Sequence, residues 1–360
     1  MNHDDRLKSI RNVILSRDLD AMLVSGESNV SYLSGFTGDS SLLVVTTERR
    51  CVITDFRYVE QVERECPGWR VVRRRKDLWE ATAGALAEAG VKKLGFESAH
   101  LTCAAHAKLA DAAAGKVALT PLTDTVETLR AVKEPEEVER IETSLRLQEQ
   151  ALREVLAWVR PSMTEKRVAA ELDHRMRLAG AERSAFETIV LAGERASLPH
   201  GRPTERVISQ GDAVLFDWGA RCSFYNSDLT RMVHFGSVSR EFREVYDVVR
   251  EAQERALRAV RPGVTFGEVD AAARDFIRER GHGEAFGHAL GHGVGLEVHE
   301  SPVVKEGNEE RLQPGMVFTV EPGVYLPGWG GVRIEDMVLV TVDGVRVLSD
   351  FDKDLDRLTL

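Results

Sequence analysis

Up to about residue 130, short apolar runs alternate with longer stretches whose apolar positions recur at helical spacing. AMLVS at 21–25, LLVVT at 42–46 and CVIT at 51–54 read as strands, being brief, rich in β-branched residues and bounded by polar segments. Asp77–Ala89 carries its apolar residues on one helical face, and Leu101–Ala114 is an alanine-rich helix. SGFTGDSS at 34–41 has the composition of a loop. Such alternation is the α/β pattern. The pattern then changes. Pro135 suits the first position of a helix, and Glu136 and Glu137 favour its positive end, so an amphipathic helix is expected to run to about Arg160. No Gly- or Ser-rich stretch separates the two regions, which predicts a short, stiff connection between an α/β domain at 1–128 and a second domain at 129–360.

The second region repeats itself. RPSMTEKRVAAELDHRMRLAGAE at 160–182 aligns with RPGVTFGEVDAAARDFIRERGHGE at 261–284, each a turn, a threonine N-cap (Thr164, Thr265) and an amphipathic helix. GDAVLFDWG at 211–219 aligns with GMVFTVEPG at 315–323, each a glycine and an apolar strand ending in a carboxylate, Asp217 or Glu321. Asp228 and Glu335 follow on the next β-like run of each copy. Two copies packed about a pseudo-twofold axis would bring these four carboxylates face to face.

Composition narrows the classes. A net charge of −10 argues against nucleic acid and anionic membrane as partners, since both need a basic face. The one basic run, Arg73 to Lys76, reads as a solvated strand end or loop. The first residues lack the apolar core of a signal peptide, and no apolar stretch is long enough to span a bilayer. Four scattered cysteines without a CxxC pair suit reduced thiols in the cytoplasm and exclude a zinc–cysteine motif. Cys222, between Asp217 and Asp228, is expected to be a buried, inert thiol.

Four carboxylates alone would repel one another strongly, whereas two divalent cations would balance them. Oxygen-rich sets with one imidazole fit Mn, Co or Zn, and paired ions of this kind activate a bridging water. The imidazole is expected from GHALGHGVGLEVHE at 287–300. His288 and His292 have the spacing of a helical zinc pair, but Gly291, Gly293 and Gly295 make a helix unfavourable there. As an extended strand, GVGLEV would turn His292 and His299 to opposite faces. One of the three histidines is then the ligand, with His292 the best candidate.

These residues reach a known family. LPHGRPTERVI at 198–208, DWG and YNSDLTR within 217–231, GHALGHGVGLEVHESP at 287–302, MVFTVEPGVY at 316–325 and GVRIEDMVLV at 331–340 resemble the pita-bread metallopeptidases, in particular the Xaa-Pro peptidases, aminopeptidase P and prolidase. The resemblance covers nearly the whole chain. It implies a creatinase/prolidase-like α/β domain followed by an α+β pita-bread domain, duplicated, with antiparallel sheet and a pseudo-twofold axis. It implies two divalent ions, manganese first with cobalt or zinc as alternatives, on Asp217, Asp228, His292, Glu321 and Glu335. Glu321 would serve as general base, His299 as oxyanion donor, Tyr325 as proton shuttle and Arg333 as support, with His200, His288 and Tyr225 toward the substrate. Phe224 stands where the family often has glycine.

The resemblance further implies proline-containing peptides as substrates and a homodimer in the cytoplasm. TDFRY at 54–58 resembles a strand end of short bacterial aminopeptidases P. The expected activity is therefore an Xaa-Pro aminopeptidase that releases the N-terminal residue ahead of proline. The alternative is a prolidase restricted to Xaa-Pro dipeptides, and a non-catalytic pita-bread binding module is the remote one.

Overall fold

The structure, a computed structural model, describes residues 3–360 and divides into two compact units that meet at Arg130 and Ala131. In the first unit, β1 (Ala21–Val24), β2 (Leu42–Thr46), β3 (Arg50–Thr54), β4 (Arg70–Arg73), β5 (Lys93–Glu97) and β6 (Ala118–Leu122) form one sheet in the order β4-β3-β2-β1-β5-β6. The β1–β2 and β2–β3 pairs are antiparallel and the others parallel. Its helices are α1 (His3–Ser16), α2 (Glu27–Ser34), α3 (Val59–Glu65), α4 (Leu78–Glu88), α5 (Cys103–Ala113) and α6 (Thr125–Ala131). Asp77 and Thr102 cap α4 and α5 by accepting from backbone N–H groups of the first turn, so both helices begin where the polar residue precedes the apolar face. All of β1 is buried, which its unbroken apolar run requires.

The second unit opens with α7 (Pro135–Trp158), started by Pro135 and a Glu134–Glu137 capping box, and α8 (Glu165–Ala179), capped by Thr164. Its first half continues through β7 (Arg183–Ser184), β8 (Ile189–Ala192), β9 (Ala213–Trp218), β10 (Ala220–Cys222), β11 (Tyr225–Asn226) and β12 (Leu229–His234). The second half has α9 (Arg240–Ala259) and α10 (Phe266–Glu279), the latter capped by Thr265. After them come β13 (Gly291–Gly293), β14 (Glu300–Val304), β15 (Val317–Val320), β16 (Gly323–Leu326), β17 (Gly330–Arg333), β18 (Asp336–Val340) and β19 (Val345–Val347). All pairing between these strands is antiparallel, in sheets ordered β12-β9-β8, β11-β10-β7, β14-β13-β15-β18-β19 and β16-β17, as the resemblance implied. Among the described residues, no helix is long and apolar enough to cross a membrane.

Strand alternation decides where the carboxylates point. Val190, Val214, Phe216 and Trp218 share a core with Leu152, Val155, Val168 and Leu172 of α7 and α8. Asp217 lies between two of these inward residues and so projects from the opposite face. In the second half Phe318 and Val320 join the α9–α10 core, with Phe318 edge-on to Phe266 at 5.8 Å. Thr319 and Glu321 therefore take the other face. Arg231 ties the halves together: fully buried on β12, it donates to Asp336 of β18 at 2.7 Å and to the carbonyls of Phe351 and Asp352. A buried ion pair persists when its remaining donors are satisfied, and these are.

One local expectation needs correction. Cys222 is half-buried rather than buried, because it ends β10 at the tip of the β10–β11 hairpin. Phe224 in that hairpin turn has φ 71°, a conformation glycine adopts without strain, which explains the glycine preference at this place.

Candidate metal centre

Asp217, Asp228, Glu321, Glu335 and His292 line one cavity of about 680 Å³ in the second unit, together with His200, His288, His299 and Arg333. The elements that deliver them are the strand ends anticipated by the repeat. Asp217 stands near the end of β9, Asp228 one residue before β12, Glu321 one residue after β15, and Glu335 between β17 and β18. Asp228, His292 and Glu335 present ligand atoms within 4.8 Å of one another. His292 Nε2 is 3.3 Å from Glu321 Oε1 and 3.6 Å from Asp228 Oδ2.

The hydrogen bonds leave the donor atoms of a cation site open. His292 Nδ1 lies 3.1 Å from the Gly293 carbonyl, which can only accept, so Nδ1 carries the hydrogen and Nε2 turns its lone pair to the carboxylates. Asp217 spends Oδ2 on Arg333 Nη2 at 2.5 Å, and Glu335 spends Oε2 on the Thr230 hydroxyl at 2.8 Å. Asp217 Oδ1 and Glu335 Oε1 are buried without a partner among the described residues. Orphaned buried oxygens are costly and call for a cation or a proton. This set fits divalent metal ions.

Charge says the same. Burial raises the Asp228 and Glu335 carboxyls well above their ordinary range, and the neighbouring carboxylates push each further. Burial also raises Asp217, against the pull of Arg333. At His292 burial opposes the charged form, yet the Glu321 hydrogen bond and charge lift it to about 9. Without a metal, a proton on His292 takes the cation's place between the carboxylates.

A support layer surrounds the ligands. Arg333 Nε donates to the Thr230 hydroxyl at 2.9 Å and Nη1 to the Tyr325 hydroxyl at 3.0 Å. His288 Nδ1 lies 2.7 Å from the Ala289 carbonyl, so its Nε2 accepts the Tyr325 O–H at 2.9 Å. Thr319 Oγ1 accepts from the His292 N–H and donates to Glu321. Thr230 and Thr319 had no signal in the sequence beyond being polar positions of otherwise apolar strands.

The opposite-face expectation for His292 and His299 fails. The chain after Gly293 does not continue as a strand; it turns back, so that Gly293 pairs with Glu300 and the His292 and His299 rings lie 4.2 Å apart, tilted by 52°. Glycine makes this possible: a Cβ at Gly293 would come within 2.2 Å of the Ser301 carbonyl, and one at Gly291 within 1.8 Å of the Thr319 carbonyl. His299 and His200 are exposed at the cavity mouth, while His288 is half-buried. Tyr225 does not reach the cavity at all. It is buried against α7, its hydroxyl donating to Glu137 at 2.7 Å, because β11 turns that residue to the helix.

Strand-end carboxylates from two copies of one motif, gathered round an imidazole in a pita-bread frame, define a metal-dependent hydrolase. The chain belongs to metallopeptidase family M24, which residues 139–342 match, and residues 6–132 match the creatinase/prolidase N-terminal domain. It is 34% identical to an Xaa-Pro dipeptidase of Pyrococcus horikoshii, over 98% of this chain and 99% of that protein. Among solved structures, it resembles an Xaa-Pro dipeptidase from Bacillus anthracis, with 37% identity, TM-score 0.96 and full coverage of both chains. It also resembles an X-Pro aminopeptidase from Thermotoga maritima, with 38% identity, TM-score 0.88 and coverage of 94% of this chain and 97% of that one.

Proposed function

We propose that the protein is an Xaa-Pro dipeptidase of the prolidase type, working with two divalent ions, manganese first, on Asp217, Asp228, His292, Glu321 and Glu335. The sequence expectation put an aminopeptidase first, on the strength of TDFRY at 54–58. The observation that carries the dipeptidase proposal is the full-length likeness to the Bacillus anthracis dipeptidase, with the Pyrococcus protein beside it. The aminopeptidase stays the second reading because of the Thermotoga likeness.

Bound at these ligands, divalent ions supply Lewis acidity and a water acidic enough to attack near neutral pH. The side chains do the rest. Glu321 takes the proton from the attacking water as general base; in the metal-free protein, against burial, the hydrogen bond and charge of His292 hold its carboxyl below the ordinary range. His299, exposed over His292, donates to the oxygen that gains charge as the carbonyl is attacked. Arg333 holds Asp217 and the Tyr325 hydroxyl in place. The proline nitrogen leaves as an amine and needs a proton. The Tyr325 hydroxyl, hydrogen-bonded to His288 at 2.9 Å, supports a relay for it. His200 at the mouth positions the substrate. Comparing Ala-Pro with Ala-Pro-Gly as substrates of the manganese-loaded protein tests the proposal. Hydrolysis of Ala-Pro alone is expected, and equal turnover of the tripeptide would favour the aminopeptidase.

A further inference from the structure

We propose that Arg202 at the mouth of the cavity is the counter-ion that reads the free C-terminal carboxylate of the substrate and so restricts it to dipeptides; this rests on the dipeptidase proposal above. The difficulty such an enzyme faces is chemical. A proline nitrogen in peptide linkage has no N–H to be recognised in either substrate, and what separates Xaa-Pro from Xaa-Pro-Yaa is a charged carboxylate directly on the proline.

The cavity wall offers two guanidinium groups, Arg333 and Arg202. Arg333 is committed to Asp217, Thr230, Tyr325 and the Pro199 carbonyl. Arg202 is not. Its one charged partner among the described residues is Glu187, 3.2 Å from Nε, in a pair whose side chains are 80% and 63% exposed. An ion pair that exposed is weak, so a substrate carboxylate exchanges with Glu187 readily. The planar guanidinium fork matches a carboxylate through two parallel hydrogen bonds. Phe186, Ile189, Pro203 and Val303 line the same cavity and suit a proline ring.

The backbone that carries Arg202 is fixed, although its side chain has only the exposed pair with Glu187. The Pro199 carbonyl accepts from Arg333 at 3.2 Å, and the Arg202 carbonyl accepts from Arg195 Nη2 at 2.7 Å. Arg195 is paired in turn with the buried Glu165, which also accepts from the N–H and hydroxyl of Thr204, each at 2.9 Å. Residues 199–204 are thus pinned at both ends, and two residues before Arg202 the same loop carries His200 into the cavity. A pinned loop with one weakly paired guanidinium is suited to reading a charge at a set distance from the reacting carbonyl.

The test uses the manganese-loaded full-length protein and three substrates: Ala-Pro, Ala-Pro-amide and Ala-Pro-Gly. Wild type should show a KM about tenfold lower for the free acid than for the amide, the ratio one charge-assisted contact supplies. Arg202→Gln should raise KM for Ala-Pro about tenfold with kcat little changed and leave the amide's KM where it was. Arg202→Lys, which keeps the charge without the fork, should fall between them, and the melting temperature of each variant should match wild type. A wild-type acid preference that survives in Arg202→Gln overturns the assignment while leaving the dipeptidase proposal intact. Parallel rises in KM for acid and amide overturn it too, since they mean that Arg202 only shapes the loop. Equal wild-type turnover of acid, amide and Ala-Pro-Gly sinks the dipeptidase proposal and this inference together.

Discussion

Replacing Glu335 by glutamine should stabilise the metal-free protein, the reverse of what removing a buried, hydrogen-bonded charge usually does. Asp228, His292 and Glu335 crowd their ligand atoms within 4.8 Å, and Glu335 Oε1 has no partner among the described residues. Two unit charges at that separation repel by about 3–4 kcal/mol at an effective dielectric of 20. The folded protein already relieves part of this by holding protons, since burial and the neighbouring carboxylates push Glu335 and Asp228 upward. The net gain from Glu335→Gln is then about 1–3 kcal/mol, which for a domain of this size corresponds to roughly 3–10 °C in melting temperature. The glutamine oxygen can still accept from Thr230, and its NH2 can donate to a neighbouring carboxylate. Metal binding changes in the other direction, because a ligand is gone. Thermal melts of chelator-treated protein, with and without added manganese, read both effects. The variant should melt above wild type without metal and gain less from manganese than wild type does. A metal-free variant that melts below metal-free wild type would refute the idea that these carboxylates are held together against their own repulsion.

Further outcomes follow from the same geometry. Dialysis against chelator should abolish Xaa-Pro hydrolysis, and manganese or cobalt should restore it; full activity in metal-free protein would contradict the site. His292→Ala should lose bound metal and activity together, whereas His299→Ala should keep its metal and lose turnover by about 10²–10³, the typical effect of one oxyanion donor. Metal content and kinetics measured on both variants separate the ligand from the helper. Metal-free protein should lose melting temperature as pH rises from the ordinary carboxylate range toward about 9, far more than metal-loaded protein does. The sign follows because Asp228 and Glu335 are raised in the fold, so their contribution is present below the unfolded carboxylate range and lost as pH rises through the raised values. His292, raised to about 9, acts in the same direction at the upper end.

Much of this centre was legible in the chain because it depends on local, repeated grammar. The threonine caps at 164 and 265 mark helix starts through their own hydrogen bonds. The alternation in VLFDW and VFTVE alone turns Asp217 and Glu321 away from the helix-packed faces. What stayed hidden depends on residues distant in sequence. His299 reaches His292 only because glycines let the backbone approach Thr319 and Ser301 closely enough to fold back. Tyr225 was placed by its motif, yet β11 turns it to Glu137 on α7, a partner 88 residues away. The buried pairs Arg231–Asp336 and Lys133–Glu300 span comparable separations and carry no periodic signature. Arg202 and Glu187 read as ordinary surface charges until the cavity is seen beneath them.

Anomalous diffraction from crystals of the manganese-loaded protein tests the central claim most directly. Two manganese peaks about 3.5–4 Å apart are expected, bounded by Asp217, Asp228, His292, Glu321 and Glu335, with His299 outside the coordination sphere. A single peak, or one held by His299 in place of His292, would contradict that claim.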